Sequence, residues 1–178
     1  MEEDIIKLDP NFSEAKFKTK VDNIFVKLHI GIMKKNIDDV RHFISDNVYE
    51  KYSNYIKELA SKNYTQMYDE LNVASTDIQN TEIKDGKIII KVCIKSRYMD
   101  YILDMDTRRV VSGVNTRRVE KLNYLTFEKK IGALSQENAR KCPACGANID
   151  VNNIGKCAYC GTIYNLQDYD YILTDIRN

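Results

Sequence analysis

The sequence predicts an α+β protein in which helices come first, an antiparallel sheet follows, and a small metal-binding module comes last. Three observations support this order. Apolar residues recur every three or four positions between Phe12 and Lys62, which is the period of a helix with one buried face. From Ile88 to Tyr98 apolar and polar residues alternate, as in a half-buried strand. Two Cys-x-x-Cys pairs then supply the spacing of metal ligands.

The composition limits the chain to one ordinary domain with a small appendage. Its 178 residues are 43% hydrophobic, with 7 Gly and 2 Pro, which is typical of a globular protein. The 27 Lys and Arg residues are balanced by 26 Asp and Glu, so the composition indicates no nucleic-acid partner. No stretch is apolar enough to span a bilayer, and the acidic start does not resemble a secretory signal. We expect a cytoplasmic protein, with the inner face of the membrane as the alternative position.

Three helices are predicted to follow an N-terminal extension, residues 1–11. The first spans about Phe12 to Met33 with Ser13 at its N-cap, the second runs from Asn36 or Asp38 to Asn47, and the third spans about Val48 to Lys62. The first helix is amphipathic, and one edge of it is basic. The lysines of this edge are Lys16, Lys20, Lys27 and Lys34.

Four strands are predicted after Asn63. Asp85 and Gly86 tolerate the positive φ of a tight turn, so they indicate a hairpin between a strand ending at Ile83 and one that begins at Ile88. The other predicted strands are Tyr98 to Met105 and Leu122 to Lys129, with turns near Asp106 to Arg109 and Gly113 to Thr116.

The last part of the chain, residues 142–178, contains a four-cysteine site. The segments CPACG and CAYCG repeat one turn in which two cysteines direct their sulfurs to one point. The candidate ligands are Cys142, Cys145, Cys157 and Cys160. Because four thiolates fill a tetrahedral shell and leave no position open for water, the pattern predicts one structural zinc ion. Iron is an alternative, because the same ligands accept it.

A polar linker, residues 131–141, is predicted between the sheet and the cysteine module. A redox dithiol is the alternative interpretation of each pair, but that chemistry normally needs a strand-to-helix context that these turn-rich surroundings lack. Paired cysteines in an otherwise cysteine-poor chain favour a reducing compartment. The apolar tail from Thr162 to Ile176 exceeds what the module can bury, so we expect it to pack on the preceding domain or on a partner.

The remaining candidates give no clear sign of catalysis. His29 and His42 lie on predicted helices without a neighbouring nucleophile, and we expect them to be solvent-exposed or at an edge. Cys93 falls on the lysine-lined face of its strand and is interpreted as a structural thiol. Asp100 and Asp104, with nearby tyrosines, are the carboxylates that an enzyme could use, but their spacing marks neither as a general base.

Several segments form a set that occurs in a known family. They are the helical pattern ending in Asn47-Val48-Tyr49, the Asp85-Gly86 hairpin, the Val110-Val111-Ser112-Gly113 turn, and Leu125-Thr126-Phe127, where the family often has Trp-Thr-Phe. The set resembles the C-terminal domain of the mitochondrial inner-membrane translocase subunit 44 and its bacterial relatives, over about Phe12 to Lys130. Some bacterial relatives also have a zinc ribbon of CPxCG and CxYCG form with an aromatic tail, which extends the resemblance to most of the chain.

The resemblance implies a nuclear-transport-factor-2-like cone over residues 12–130, in which three helices wrap a curved antiparallel sheet, and a zinc ribbon with its tail over residues 142–178. It implies a non-enzymatic binding or adaptor domain for a protein, a lipid or another hydrophobic small ligand, associated with membranes or protein translocation. Two alternatives remain open. One is a small ketosteroid-isomerase-like enzyme that uses the cone cavity; the other is a peripheral module that contacts membranes through the basic helix edge.

Overall fold

The computed structural model describes residues 2–132, 142, 145–148, 157–161 and 170–178. The helices are α1 (Glu2–Leu8), α2 (Glu14–Met33) and α3 (Asp46–Ser61), with a 3-10 helix (Asp38–Phe43) before α3. The strands are β1 (Tyr64–Lys84), β2 (Lys87–Asp104), β3 (Val110–Lys130) and β4 (Ile172–Arg177). They form one sheet in the order β1-β2-β3-β4, and every neighbouring pair is antiparallel. The predicted α+β order, with helices on a curved antiparallel sheet, is therefore confirmed.

The helix boundaries are set by two serine caps. The side chain of Ser13 accepts a hydrogen bond from the backbone N–H of Lys16, and the side chain of Ser45 accepts one from Val48, as N-cap residues do.

The prediction of an α-helix between Asn36 and Asn47 is wrong in type and length. Only a short 3-10 helix forms there, because the chain becomes extended at Ile44 and bridges to the last strand. The seven-residue α1 was not predicted, because it is too short to show a period.

Two strand predictions also need correction. The predicted strands that meet at Tyr98 are one continuous strand, β2, and the predicted turn near Gly113 to Thr116 lies inside β3. At that point Asp100 pairs with Val114 whereas Tyr98 pairs with Val119, so β3 contains a large bulge. Alternation cannot distinguish such a bulge from a turn, because both interrupt the period of two. The fourth strand of the sheet is β4, which follows the cysteine module.

The core lies between α2 and the inner face of the sheet. The alternation predicted for β2 is confirmed, since Ile88 and Ile90 are buried while Ile89 between them is half-exposed on the outer face. The two-residue turn at Asp85 and Gly86 has positive φ at both positions, as the hairpin requires. The helix contributes Phe17, Val21, Ile24, Phe25, Leu28 and Ile32 to the core, and the strands contribute Ile88, Ile90, Val92, Ile94, Leu125 and Phe127.

The apolar tail forms part of this core. β4 pairs with β3 from Glu128 to Tyr124, and the side chains of Tyr171, Leu173 and Ile176 are buried. The outer edge of β4 is covered by the start of α3: the backbone N–H of Ser45 donates to Leu173 O at 2.8 Å, and Lys51 Nζ donates to Ile176 O at 2.8 Å. These bonds satisfy backbone groups that an edge strand otherwise leaves open to other chains.

Candidate functional site

The two cysteine pairs lie in turns of the same design. The backbone N–H of Gly146 donates to Cys142 O at 2.8 Å, and that of Gly161 donates to Cys157 O at 2.9 Å. Each glycine has φ near +70°, a conformation that residues with a Cβ adopt at a cost. The glycine that follows each pair therefore closes a tight turn around the sulfurs.

The four sulfur atoms are close enough to share one ion. Cys142 Sγ lies 3.6 Å from Cys160 Sγ, and Cys145 Sγ lies 3.7 Å from Cys157 Sγ. All four sulfurs lie within 4.8 Å of one another, and none of these cysteines forms a disulfide. A tetrahedral site with Zn–S bonds of about 2.3 Å places its sulfurs about 3.8 Å apart. The donor set and its spacing are thus compatible with zinc.

Hydrogen bonds act in opposite directions on the thiols of Cys157 and Cys145. Backbone N–H groups of Cys160 and Tyr159 lower the pKa of Cys157, which favours its thiolate. The backbone N–H of Ala147 acts in the same direction on Cys145, but hydrogen bonds with the neighbouring sulfurs outweigh it and raise the pKa of Cys145 to about 12. Four thiolates at this spacing repel one another unless a positive charge lies between them. A metal ion at the centre would supply that charge.

A second polar group of side chains lies inside the cone, and we call His29, Tyr68, Tyr98, Asp100 and Asn123 the cone cluster. The His29 ring centroid lies 4.6 Å from that of Tyr68 and 5.7 Å from that of Tyr98, and the two tyrosine rings meet edge to face at 5.5 Å. The expectation of a solvent-exposed or edge position for His29 is wrong, because its side chain is buried. His29 lies on the inner stripe of α2, one position beyond Leu28.

Burial changes the titration of this cluster. Desolvation lowers the pKa of His29 to about 4, so its ring is neutral at pH 7. Desolvation also raises the pKa values of Tyr68 and Tyr98, and that of Tyr52 beside them to about 12. The tyrosines are therefore protonated hydroxyl groups throughout the physiological range.

The two candidate carboxylates of the enzyme alternative both have partners. Asp100 accepts a hydrogen bond from Gln66 Nε2 at 2.9 Å and pairs with Lys121 Nζ at 3.1 Å. Asp104 caps the turn before β3: backbone N–H groups of Thr107 and Asp106 donate to it and lower its pKa. Neither carboxylate is unpaired, as a buried general base would be.

Sequence reasoning missed the polar residues of the inner sheet face. Ser96 continues the inward series of Ile90, Val92 and Ile94, and Asn123 precedes the inward Leu125 at the same spacing of two. Both polar side chains are fully buried. A polar residue at an inward position of a strand is the signal that could have identified them, because Ser and Asn are mostly exposed in folded proteins and a buried one is informative.

The outer face of the sheet contributes to a groove of about 690 Å³ that is bounded by the start of α3. Ile89 and Val48 are apolar members of its lining, and most of the other lining residues are polar or charged. Three ion pairs lie along the groove: Lys87 with Glu128 at 2.8 Å, Lys91 with Glu82 at 3.4 Å, and Arg177 with Asp175 at 2.5 Å.

The remaining sequence candidates lie apart from these sites. His42 is half-buried at the end of the 3-10 helix, where burial and the neighbouring Arg41 lower its pKa. Cys93 is half-buried on the outer face of β2, as predicted. On α2, Lys20 does not belong to the exposed basic edge, because it pairs with Asp170 at 2.5 Å and burial lowers its pKa. Exposed lysines of α2 and the turn after it are Lys16, Lys27, Lys34 and Lys35.

Among the residues that the structure describes, no helix has the length and apolar character needed to cross a membrane. No curated protein sequence matches the chain. Among solved structures, the intermembrane-space region of the chloroplast protein ARC6 is similar, with 7% sequence identity and a TM-score of 0.37 over 90% of this chain and 94% of that one. The sequence profile of the Tim44-like domain matches residues 2–139. The chain, with its cone of helices and curved sheet, therefore belongs to the Tim44-like domain family.

Proposed function

We propose that this chain is a non-enzymatic adaptor domain that binds a partner protein in the groove beside α3, with one structural zinc ion in the cysteine module. The observation that carries this proposal is the lining of the groove. The ion pairs along the sheet side of the groove, with a few apolar lining residues, complement a polypeptide better than an acyl chain, which offers no partner for charged groups.

Two further features support a binding role over catalysis. The carboxylate of the cone cluster, Asp100, is held by Gln66 and Lys121. The four thiolates complete a tetrahedral shell, so a zinc ion there has no open position for a water nucleophile. The zinc ion would be held by Cys142, Cys145, Cys157 and Cys160, and its binding energy would stabilise the local fold. Elemental analysis of the purified chain distinguishes zinc from iron.

The groove proposal is tested by two arginine substitutions on the same sheet face. Ile89→Arg places a long charged side chain in the groove lining, whereas Leu122→Arg changes a position that is already 47% exposed and lies outside the groove lining. Cross-linking of the full chain in its native host, followed by mass spectrometry, should identify a protein whose cross-links map to the groove. Ile89→Arg should abolish those cross-links and Leu122→Arg should preserve them. Equal cross-linking by both variants would contradict the proposal.

Peripheral membrane contact is the second candidate function, and the basic face of α2 favours it. Lys16, Lys27 and Lys34 form no ion pair within the part of the chain that the structure describes, and Ile30 between them is exposed. Such a face is attracted to anionic headgroups. Binding to vesicles with anionic lipid should weaken with added salt and with Lys27→Glu plus Lys34→Glu, while vesicles of neutral lipid should not bind. Salt-independent binding, or no binding at low salt, would exclude this candidate.

We infer a cytoplasmic position from the cysteines. Cys93 and the four cysteines of the metal cluster are all free of disulfides. Free thiols and thiolate metal sites persist in reducing compartments. Fractionation of the native host tests this position and shows whether the chain accompanies the membrane fraction.

A further inference from the structure

A cavity of about 350 Å³ lies between the last turns of α2 and the 3-10 helix. Its apolar lining comes from Ile30 and Gly31 of α2 and from the buried residues Ile37 and Val40. The cavity shares no lining residue with the groove on the outer face of the sheet. It is therefore a separate site, and its volume is within the range of pockets that hold small molecules.

The two walls of this cavity approach each other closely at Gly31. The backbone N–H of Asn36 donates to Gly31 O at 2.9 Å, so the chain after α2 turns back onto the helix. A Cβ at Gly31 would lie 2.8 Å from Asn36 O and 3.0 Å from Ile37 Cγ2. A larger residue would push this segment away from the helix, so the shape of the cavity depends on glycine at this position.

The walls carry opposite charges. Lys27 and Lys34 line the cavity from α2 and its C-cap, and Asp38 and Asp39 line it from the 3-10 helix. Asp38 accepts a hydrogen bond from the Tyr49 hydroxyl at 3.0 Å. None of the four charged side chains forms an ion pair within the part of the chain that the structure describes. The lysine nitrogens are thus more than 4.0 Å from the aspartate oxygens across the cavity.

His42 also lines the cavity and adds no charge to it at pH 7. Burial and the neighbouring Arg41 lower the pKa of His42, so its ring is neutral at this pH. Two lysines and two aspartates therefore leave the lining with no net charge, although each wall is charged. Such a lining matches a ligand that is neutral as a whole and carries one charge of each sign.

We propose that this cavity binds a free amino acid with an aliphatic side chain. The carboxylate of the ligand pairs with Lys27 and Lys34, and its ammonium group pairs with Asp38 and Asp39. Its aliphatic side chain lies on the apolar lining. A simple anion would be repelled by the aspartates and a simple cation by the lysines, whereas an uncharged apolar molecule would cover the four charges without pairing them.

The test titrates the full chain, labelled with nitrogen-15, with L-valine at constant ionic strength. The buffer contains no lipid, so membrane contact through Lys27 and Lys34 does not contribute. L-valine should shift the backbone amide resonances of Gly31 and Ile37 in a saturable manner. Three matched probes each lack one feature of valine: isobutylamine has no carboxylate, isovalerate has no ammonium group, and glycine has no aliphatic side chain. Each should bind about tenfold more weakly or less. No saturable shift with L-valine, or equal affinity of any matched probe, would overturn the proposal.

Two substitutions test the charged walls. Lys34→Gln and Asp39→Asn each remove one charge from an exposed side chain, so both variants should fold. Each should weaken L-valine binding about tenfold, as expected for the loss of one charged hydrogen-bond partner. The control is Lys16→Gln, which removes an exposed lysine of α2 that lies outside the cavity and should leave binding unchanged. Parental affinity in both wall variants, or an equal loss in Lys16→Gln, would show that the site is wrong.

Discussion

The carboxylate of Asp9 accepts a hydrogen bond from Lys129 Nζ at 2.7 Å and joins the segment after α1 to the end of β3. Both side chains are largely buried, and the hydroxyl of Tyr171 donates to the same carboxylate oxygen at 3.3 Å. The ammonium group of Lys129 also lies 5.3 Å from the centre of the Tyr171 ring. One carboxylate therefore connects the N-terminal segment, the sheet and the chain that returns from the cysteine module.

Asp9→Asn should destabilise the protein by about 3 kcal/mol, because it leaves the buried ammonium group of Lys129 without its counter-charge. Urea denaturation measures the change in the free energy of unfolding. The matched control is Asp175→Asn, which removes the partner of the exposed Arg177 and should change stability by less than about 1 kcal/mol. Similar losses for the two variants would contradict the role of Asp9.

Metal removal should unfold the cysteine module and leave β4 in the sheet. β4 is held by its pairing with β3 and by the bonds from Ser45 and Lys51, none of which involves a cysteine. Unfolding of the module lengthens the flexible loop between β3 and β4. The entropic cost of closing this loop rises little, since each doubling of loop length adds only about 0.6 kcal/mol. After chelation, hydrogen exchange should become fast at Gly146 and Gly161 and stay slow at Leu173.

Cys157→Ser should give the same exchange pattern together with loss of bound metal. Cys93→Ser is the control, because Cys93 lies on β2 outside the cluster and should leave metal content unchanged. Exchange that becomes fast in β4 as well would show that the metal stabilises the sheet.

His29 should make the protein less stable as the pH falls from about 6.5 to about 4. Its pKa is near 4 in the folded state and 6.5 in the reference state, so the unfolded chain binds the proton first. Above pH 6.5 the neutral His29 ring makes its full contribution to the free energy of unfolding. Between pH 6.5 and the folded-state pKa this contribution decreases by about 3 kcal/mol, since one pKa unit corresponds to about 1.4 kcal/mol. The slope of unfolding free energy against pH should flatten in His29→Gln and largely persist in His42→Gln.

Gly113→Ala should be more harmful than Gly86→Ala. Both glycines have positive φ, so both substitutions strain the backbone by about 1 kcal/mol. A Cβ at Gly113 would lie 2.1 Å from Asp100 O, whereas nothing lies within 4 Å of one at Gly86. Because this Cβ would overlap the carbonyl oxygen of Asp100, the bulge of β3 would have to move away from β2. Thermal denaturation should show a small decrease in Tm for Gly86→Ala and a clearly larger one for Gly113→Ala; equal decreases would exclude a packing role for Gly113.

The sequence was sufficient for the parts of the fold that repeat locally. The period of α2, the cap at Ser13, the Asp85-Gly86 turn and the inward series of β2 all agree with the structure. The four cysteines were grouped as candidate ligands by spacing alone, and the structure places their sulfurs within 4.8 Å of one another. In each case the information lies within a few neighbouring residues.

Features that depend on distant residues could not be predicted in this way. The burial of His29 depends on Tyr68 and Tyr98, which approach it from two different strands. The bulge opposite Tyr98 depends on how β3 pairs across the sheet. The position of the tail as β4 likewise depends on β3 and α3, so its sequence indicated only that it must be buried.

The place of β4 in the chain also sets the order in which the sheet can form during synthesis. α2, β1, β2 and β3 leave the ribosome first, and β4 follows only after every residue of the cysteine module has been made. Until then the edge of β3 beside Leu125 and Phe127 has no neighbouring strand. A nascent chain that stops within the cysteine module therefore presents an open sheet edge to chaperones or to other nascent chains.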